Sequence, residues 1–195
     1  MAIAVRTLTG AEIAAALDDL ARLRIEVFRA FPYLYDGDVG YERDYIAEFA
    51  AAPDAALVAA FHDDRIVGAA TASPMGAQKV EFQRPFVERG LDVDRLFYFG
   101  ESVLLPDYRG KGIGHAFFDY REAAGRAAGA EQASFCAVIR PDDHPARPVD
   151  YQPLDAFWKK RGYAPVSGFV TDFDWKEIGG AEEVSHQMQY WIGQL

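Results

Sequence analysis

A glycine-rich segment in the middle of the chain has the residue types and the spacing of an anion-binding site. Residues 109–114 read RGKGIG, with three glycines in five positions. Because glycine has no Cβ, this backbone can turn tightly and a ligand can lie against its N–H groups. If a helix begins at the turn, its unpaired N–H groups and its dipole attract an anion, and Arg109 and Lys111 add positive charge. The segment therefore predicts a phosphate-binding turn.

Two familiar nucleotide-binding patterns fit this segment poorly. A Walker loop needs a hydroxyl residue directly after its lysine, but Lys111 is followed by Gly112. A dinucleotide fingerprint needs the spacing GxGxxG, and the segment has GxGxG. An NAD-dependent oxidoreductase therefore stays open on the glycines alone, as does a turn that uses glycine only for its geometry.

The residues on either side of the segment predict the elements that position it. Residues 96–105 form a compact apolar and aromatic run of strand length. Residues 113–123 have apolar side chains at helical spacing, and Gly129 is placed to end this helix. A strand, a glycine-rich turn and an amphipathic helix thus follow one another.

This succession resembles the pyrophosphate loop of the GNAT superfamily of N-acetyltransferases, whose pattern is [Q/R]-x-x-G-x-[G/A] after a V/L-x-P turn. Residues 109–114 fit that pattern at every position, and residues 104–106 supply the lead-in. Residues 154–163 are similar to the second signature of the family, a helix ending in [F/Y]-[Y/W]-x-x-x-G-[F/Y]. The segments FYFGESV and FCAVIRP are also similar to segments of uncharacterised bacterial GNAT proteins.

The resemblance implies acetyl-coenzyme A (acetyl-CoA) as cosubstrate. Its pyrophosphate would be held by the N–H groups of the turn and the start of the helix. Its pantetheine arm would pair like an extra strand with the end of the central strand. The implied binding residues are Val103, Leu104, Leu105, Arg109, Gly110, Lys111, Gly112, Ile113, Gly114 and His115.

Glu101 is the candidate general base, because many members of the family carry a carboxylate facing the acceptor at this point of the central strand. Attack of an amine on a thioester needs a base to take the amine proton, directly or through water. Strict alternation would put Glu101 on the same side of the strand as Phe97, Phe99 and Val103. A carboxylate on such an apolar side needs a partner or a role.

The general acid is less well marked. In much of the family a tyrosine in the short helix protonates the leaving thiolate, and here that position is Trp158, which has no titratable proton. Tyr151 is the candidate chosen in its place; Tyr98, His144 and Tyr163 are other donors, and the thiolate can also leave unassisted. No cluster with metal-ligand spacing accompanies His144, so no metal site is expected.

Composition limits the class of partner. The chain has 30 acidic against 20 basic residues, a net charge of −10, which disfavours nucleic acid and anionic membranes. Its single cysteine, Cys136, excludes an internal disulfide and is interpreted as a small buried hydrophobe, with a nucleophile as the alternative. With no signal-like start and no spanning apolar run, we expect a soluble cytoplasmic protein.

The order of elements predicts an α+β fold, formed as one domain over residues 1–195. The resemblance implies a GNAT-like mixed, mostly antiparallel sheet flanked by helices, with the pyrophosphate turn after the fourth strand. The predicted elements are a strand at 3–8, helices at about 11–32 and 41–51, strands at 56–62 and 66–73, a helical turn at 86–89, the central strand and its helix, a strand at 132–140, a helix at 154–163 and strands at 169–175 and 184–192.

The function that follows is an N-acyltransferase that moves an acetyl group from acetyl-CoA to a primary amine of a small molecule or peptide. The alternative, motivated by Trp158, is a non-catalytic module that binds acyl-CoA. Four acidic residues in and after the aromatic loop at 31–38 either attract a cationic amine or only favour the start of a helix: Asp36, Asp38, Glu42 and Asp44. The sequence leaves open whether the chain forms a homodimer.

Overall fold

The computed structural model describes residues 3–195, which form five α-helices and seven strands. The strands are β1 (Ile3–Thr7), β2 (Ala56–His62), β3 (Arg65–Pro74), β4 (Leu96–Leu104), β5 (Gln132–Val138), β6 (Ala164–Lys176) and β7 (Glu183–Gln194). The helices are α1 (Gly10–Phe28), α2 (Val39–Ala50), α3 (Val80–Val87), α4 (Ile113–Ala127) and α5 (Asp155–Lys160). Short 3-10 turns lie at Met75–Ala77, Val93–Arg95 and Pro106–Tyr108.

All seven strands belong to one sheet, in the order β1-β2-β3-β4-β5-β7-β6. Only β4 and β5 are parallel among the paired strands of residues 3–195. Helices α1 and α2 pack together and cover one face, and α4 and α5 cover the other. The predicted α+β fold with a mixed, mostly antiparallel sheet flanked by helices is therefore confirmed.

The predicted position of α3 is wrong. The sequence predicted one helical turn at 86–89, because Pro85 was expected to precede it, but the helix runs from Val80 to Val87 with Pro85 inside. Phe82 and Phe86, one turn apart, give this helix its packing: Phe82 contacts Tyr98 at 5.3 Å between ring centroids and Phe86 is fully buried. Tertiary packing thus overrides the unfavourable proline.

The sheet opens between β4 and β5. These strands pair at three positions, Leu96–Tyr98 with Gln132–Ser134, and no further pair between them occurs in the described part of the chain. Beyond Tyr98 the two strands diverge and leave the opening that we call the β4–β5 gap, between residues 99–104 and 135–138. Ser102 is exposed although its strand lies in the middle of the sheet, as expected for a residue at such an opening.

Each helix of residues 3–195 is too short or too polar to span a lipid bilayer.

Candidate functional site

The glycine turn, residues 109–114, joins the end of β4 to the start of α4 as predicted. Gly110 has a φ of 73° and Gly112 a φ of 83°, in the left-handed region that favours glycine. A Cβ on either residue would meet no atom within 4 Å, so the turn has open space around it. Backbone conformation, not crowding by the protein, is therefore what requires glycine at these two positions.

The start of α4 presents unpaired N–H groups. The first N–H groups of any helix lack acceptors within that helix. In α4 the N-cap is Gly112, which has no side chain to accept them. Ala116 makes the first bond of the helix, with its N–H donating to the Gly112 carbonyl at 3.2 Å. The N–H groups from Gly112 to His115 are thus available to an acceptor outside the helix.

Two cations flank these donors. Arg109 and Lys111 are both exposed, and neither has a carboxylate within ion-pair distance among residues 3–195. Lys111 Nζ lies 5.3 Å from the centroid of the Tyr108 ring. Free donors, free positive charge and an open turn together have the chemistry that a phosphate group requires.

Helix α5 packs against the start of α4. The His115 ring lies 4.9 Å from the Phe157 ring, and a Cβ on Gly114 would lie 3.5 Å from Phe157. Ile113 is buried and anchors the first turn of α4 in the core. The predicted second signature, at 154–163, therefore supports the glycine turn from the side.

The end of β4 borders the gap. The Leu105 N–H donates to the Val67 carbonyl on β3 at 3.0 Å. Because successive residues of a strand point their backbone groups to opposite sides, those of Val103 also face β3. The backbone groups of Ser102 and Leu104 then face the gap. The sequence named Val103, Leu104 and Leu105 for this edge, but only Leu104 turns its backbone groups to the gap, because those of Val103 and Leu105 face β3. It missed Ser102, whose exposure is visible only in the structure.

A β-bulge in β4 decides where Glu101 points. The register with β3 shifts between Ala70 and Ala72, and Phe99 packs against α4 while Glu101 contacts α1 and α2. The extra residue breaks the alternation of side chains. The prediction that Glu101 shares a face with Phe97 and Phe99 is therefore wrong.

Thr71, opposite the bulge, secures it from both sides. The Glu101 N–H donates to Thr71 Oγ1 at 3.2 Å, and Arg121 Nη1 on α4 donates to the Thr71 carbonyl at 3.5 Å. Arg121 is 2% exposed and lies over the Phe99 ring. Burial lowers the pKa of Arg121 to about 10. At the bulge, the Glu101 N–H and the Thr71 carbonyl have no partner on the facing strand, and the side chains of Thr71 and Arg121 supply their hydrogen bonds.

Glu101 itself forms a buried ion pair with Arg24 of α1. Arg24 Nη1 lies 2.5 Å from Glu101 Oε1, and the other oxygen, Oε2, lies 3.5 Å from the Tyr45 hydroxyl. Arg24 Nε also donates to Glu42 on α2. Burial alone lowers the pKa of Arg24, but the charges of Glu101 and Glu42 more than offset it, so the guanidinium stays protonated.

A small cavity of about 10 Å³ adjoins this pair. That volume is close to the least that holds one water molecule. Three polar residues line it, Arg24, Thr71 and Glu101, together with Leu20, Ile46, Leu57 and Ala69. Glu101 therefore has polar space beside it as well as a fixed partner.

Tyr151 is the candidate general acid, and Trp158 occupies the position where the family often has that acid. The Tyr151 ring contacts Phe31 at 4.7 Å, and burial raises the pKa of its hydroxyl. Trp158 is partly buried and packs against two core residues, Phe135 and Trp191, each at 5.0 Å between ring centroids. Tyr163 is engaged as well, since its hydroxyl donates to Glu122 at 3.2 Å.

Tyr33 is a candidate that the sequence did not single out. Burial raises the pKa of its hydroxyl, and the charges of Cys136, Tyr151 and Glu101 raise it further. Its ring packs against Phe28 at 4.6 Å. The only sequence signal was the density of aromatics at 31–38.

The acidic residues of this loop are largely engaged within the protein. Asp36 pairs with Lys176 at 3.0 Å, and Asp38 accepts from the Tyr41 N–H at 2.9 Å as the N-cap of α2. Glu42 is buried against Arg24 and accepts from the Tyr35 hydroxyl. These contacts favour the structural interpretation of the acidic cluster over an amine-attracting one.

The chain matches one protein-family model, described as the acetyltransferase (GNAT) family, over residues 18–163. That range contains β4, the glycine turn and α4. A comparison with curated proteins gave no match.

Solved structures of the same fold cover nearly the whole chain. An aminoglycoside 6'-N-acetyltransferase complexed with coenzyme A is 16% identical, with a TM-score of 0.63, and the match covers 98% of this chain and 96% of that one. A ribosomal-protein-alanine N-acetyltransferase from Brucella melitensis is 12% identical, with a TM-score of 0.64 and coverage of 98% and 99%. The Salmonella typhimurium protein yncA, solved with its cofactor acetyl-CoA, is 9% identical, with a TM-score of 0.62 and coverage of 100% and 95%.

Proposed function

The chain belongs to the acetyltransferase (GNAT) family, and from that membership we propose that it transfers an acetyl group from acetyl-CoA to a primary amine of a small molecule or peptide. The observation that carries the proposal is the glycine turn at the mouth of the β4–β5 gap. There the free N–H groups of α4 and the unpaired cations Arg109 and Lys111 suit a pyrophosphate. Two of the structural relatives contain coenzyme A or acetyl-CoA, which supports the same cosubstrate here.

Each part of the site has one task in this proposal. The glycine turn and His115 bind the pyrophosphate, and the backbone groups of Ser102 and Leu104, which face the gap, hold the pantetheine arm. Acetyl-CoA supplies an activated acetyl thioester to the acceptor. Glu101 takes the proton of the attacking amine, directly or through one water molecule, and Tyr151 protonates the departing thiolate.

Binding of the cosubstrate is tested first, by isothermal titration calorimetry of the protein with acetyl-CoA. We expect saturable binding that weakens with added salt, because Arg109 and Lys111 contact a charged ligand. The double variant Arg109→Ala/Lys111→Ala should bind more weakly and lose that salt dependence. Absence of binding to acetyl-CoA and to longer acyl-CoA thioesters would refute the proposal.

A non-catalytic module that binds acyl-CoA is the second candidate. One observation favours it. Trp158, at the position where the family often has a tyrosine acid, packs against Phe135 and Trp191 and has no titratable proton. Release of free coenzyme A, measured with a panel of primary amines, distinguishes the two. Amine-dependent release excludes the module, whereas tight binding without release from any amine favours it.

A further inference from the structure

Arg24 bridges two buried carboxylates. Its Nη1 lies 2.5 Å from Glu101 Oε1, and its Nε donates to Glu42 Oε2. The side chains of Arg24, Glu42 and Glu101 are 11%, 1% and 9% exposed. The guanidinium also lies over the Tyr45 ring, 4.4 Å from its centroid. Because the desolvation of buried charges offsets much of their attraction, stability alone is a weak reason for such a cluster.

The two carboxylates differ in how many of their oxygens have partners. Glu42 uses both, since Oε2 accepts from Arg24 and Oε1 accepts from the Tyr35 hydroxyl at 2.7 Å. Glu101 has Oε1 on Arg24, whereas its Oε2 has a single contact in the described residues, the Tyr45 hydroxyl at 3.5 Å. A carboxylate oxygen accepts two hydrogen bonds. Of the four oxygens, Oε2 of Glu101 therefore has the longest contact, which leaves it the most available to accept a further hydrogen bond.

Arg24 is the cation at ion-pair distance from Glu101. In general, burial disfavours the ionised form of a carboxylate and an adjacent guanidinium favours it. Glu101 comes from β4, and the titratable and charged groups that face it come from four neighbouring segments: Arg24 of α1, Glu42 and Tyr45 of α2, Tyr33 of the 31–38 loop and Arg121 of α4. Of the two cations, Arg24 is the one in direct contact.

We propose that Arg24 is the positioning residue of Glu101: it holds Oε1 in place, so that Oε2 accepts the amine proton. The inference rests on the proposed role of Glu101 as general base. The proton leaves the amine nitrogen for Oε2, directly or through one water, as the nitrogen lone pair forms the bond to the acetyl carbon. The C–S electron pair leaves with the thiolate, which is then protonated.

Kinetics of Arg24→Met test the inference. We expect kcat to fall by about 10²-fold from the lost alignment. The acidic limb of the kcat profile should move to higher pH, because a buried carboxylate without its cation has a raised pKa. Arg24→Lys should restore part of both effects, and the affinity for acetyl-CoA should stay unchanged. A lowered melting temperature with an unmoved limb in both variants would indicate a purely structural role and overturn the inference.

Infrared spectroscopy provides a test that needs no acceptor. Arg24→Met at neutral pH should show the carbonyl stretch of a buried protonated carboxyl group. The band should vanish in Arg24→Met/Glu101→Gln and persist in Arg24→Met/Glu42→Gln. The opposite pattern would mean that Arg24 acts on Glu42 and not on Glu101, which would overturn the inference. If Arg24→Met does not fold, the same pair of double variants is made on Arg24→Gln, which also removes the cation, with the same expected and contrary patterns.

The two proposals fail in different ways. If Glu101→Gln is inactive and the acidic limb of the kcat profile does not move in the Arg24 variants, only the role of Arg24 is overturned. A fully active Glu101→Gln overturns the general-base role beneath it. Loss of acetyl-CoA binding in the wild-type protein would refute the proposed function without altering the infrared result.

Discussion

Glu101 is the residue on which the proposed chemistry depends most, and its side chain can be changed without changing its shape. Glu101→Gln should lower kcat by roughly 10²–10⁴, the range for a positioned general base, and leave acetyl-CoA affinity unchanged. Steady-state kinetics with a reactive amine and calorimetry measure the two effects. The exposed Glu182→Gln is the matched control and should behave as wild type. An unchanged kcat in Glu101→Gln would exclude the base role.

Gly112 offers a test of the glycine turn with an unusually close control. Gly112 has a φ of 83° and Gly179 a φ of 79°, and a Cβ on either would meet no atom within 4 Å. Alanine at such a φ costs about 1–2 kcal/mol of strain, so both variants should lose similar stability. Only Gly112→Ala should also weaken acetyl-CoA binding, about tenfold, equal to ~1.4 kcal/mol.

Chemical denaturation and calorimetry measure these two quantities for both variants. Equal loss of affinity in Gly112→Ala and Gly179→Ala would mean that strain anywhere weakens binding. Unchanged affinity in Gly112→Ala would mean that the turn does not hold the ligand.

At the scale of the element, the bulge in β4 depends on a hydroxyl from the neighbouring strand. Thr71→Val removes the acceptor of the Glu101 N–H and leaves a buried donor unpaired, which costs about 1–3 kcal/mol. We expect a lower free energy of unfolding and, because Glu101 loses its alignment, a lower kcat at unchanged acetyl-CoA affinity. Thr7→Val on the exposed face of β1 is the control. A kcat equal to that of wild type would show that catalysis does not need the hydrogen bond from the Glu101 N–H to Thr71.

The β6–β7 hairpin and the 31–38 loop are joined at Glu177. This carboxylate lies 2.8 Å from His186 Nε2 and 2.5 Å from Arg140 Nη2, and Arg140 also donates to the Pro32 carbonyl at 2.7 Å. Partial burial raises the pKa of Glu177, but the hydrogen bonds from His186 and Arg140 outweigh it, and the pKa lies below its usual value. The ionised form therefore stabilises the folded state.

This lowered pKa predicts a pH-dependent effect of Glu177→Gln. The contribution of Glu177 is fully present above the unfolded pKa of about 4.3 and is lost as the pH falls through the lower folded value. Urea unfolding should thus show wild type more stable than Glu177→Gln at neutral pH, with a difference that shrinks toward pH ~3. A difference that does not change with pH would mean that Glu177 stabilises the hairpin by shape alone.

At the scale of the whole molecule, Cys136 reports on opening of the structure, because it is the single cysteine of the chain. Burial raises the pKa of its thiol to about 12, and its Sγ lies 3.2 Å from the Tyr98 hydroxyl. The thiolate is the reactive form, so iodoacetamide should label the folded protein far more slowly than the urea-unfolded chain. Mass spectrometry follows the single modification. Equal rates would contradict an unreactive, partly buried thiol.

The sequence predicted those parts of the fold that are determined locally. The glycine turn and the helix it opens are specified within about twenty residues, and Gly129 has the positive φ expected of a helix end. The bulge before Glu101 was missed because it depends on pairing with Thr71, a residue of another strand. Arg24 was missed because a charge in an amphipathic helix is typical of a solvent-exposed face. A single domain over residues 1–195 and the roles of Glu101 and Tyr151 stay predictions.

The β4–β5 gap has a consequence for the behaviour of the protein in a crowded solution. Unpaired strand edges usually invite the strand of another chain and lead to aggregation. Here both edges lie inside the sheet and face each other, so a second folded copy cannot approach them with its own sheet. The protein thus has its unpaired backbone groups inside the sheet, where an extended ligand can pair with them and the sheet of a neighbouring protein cannot.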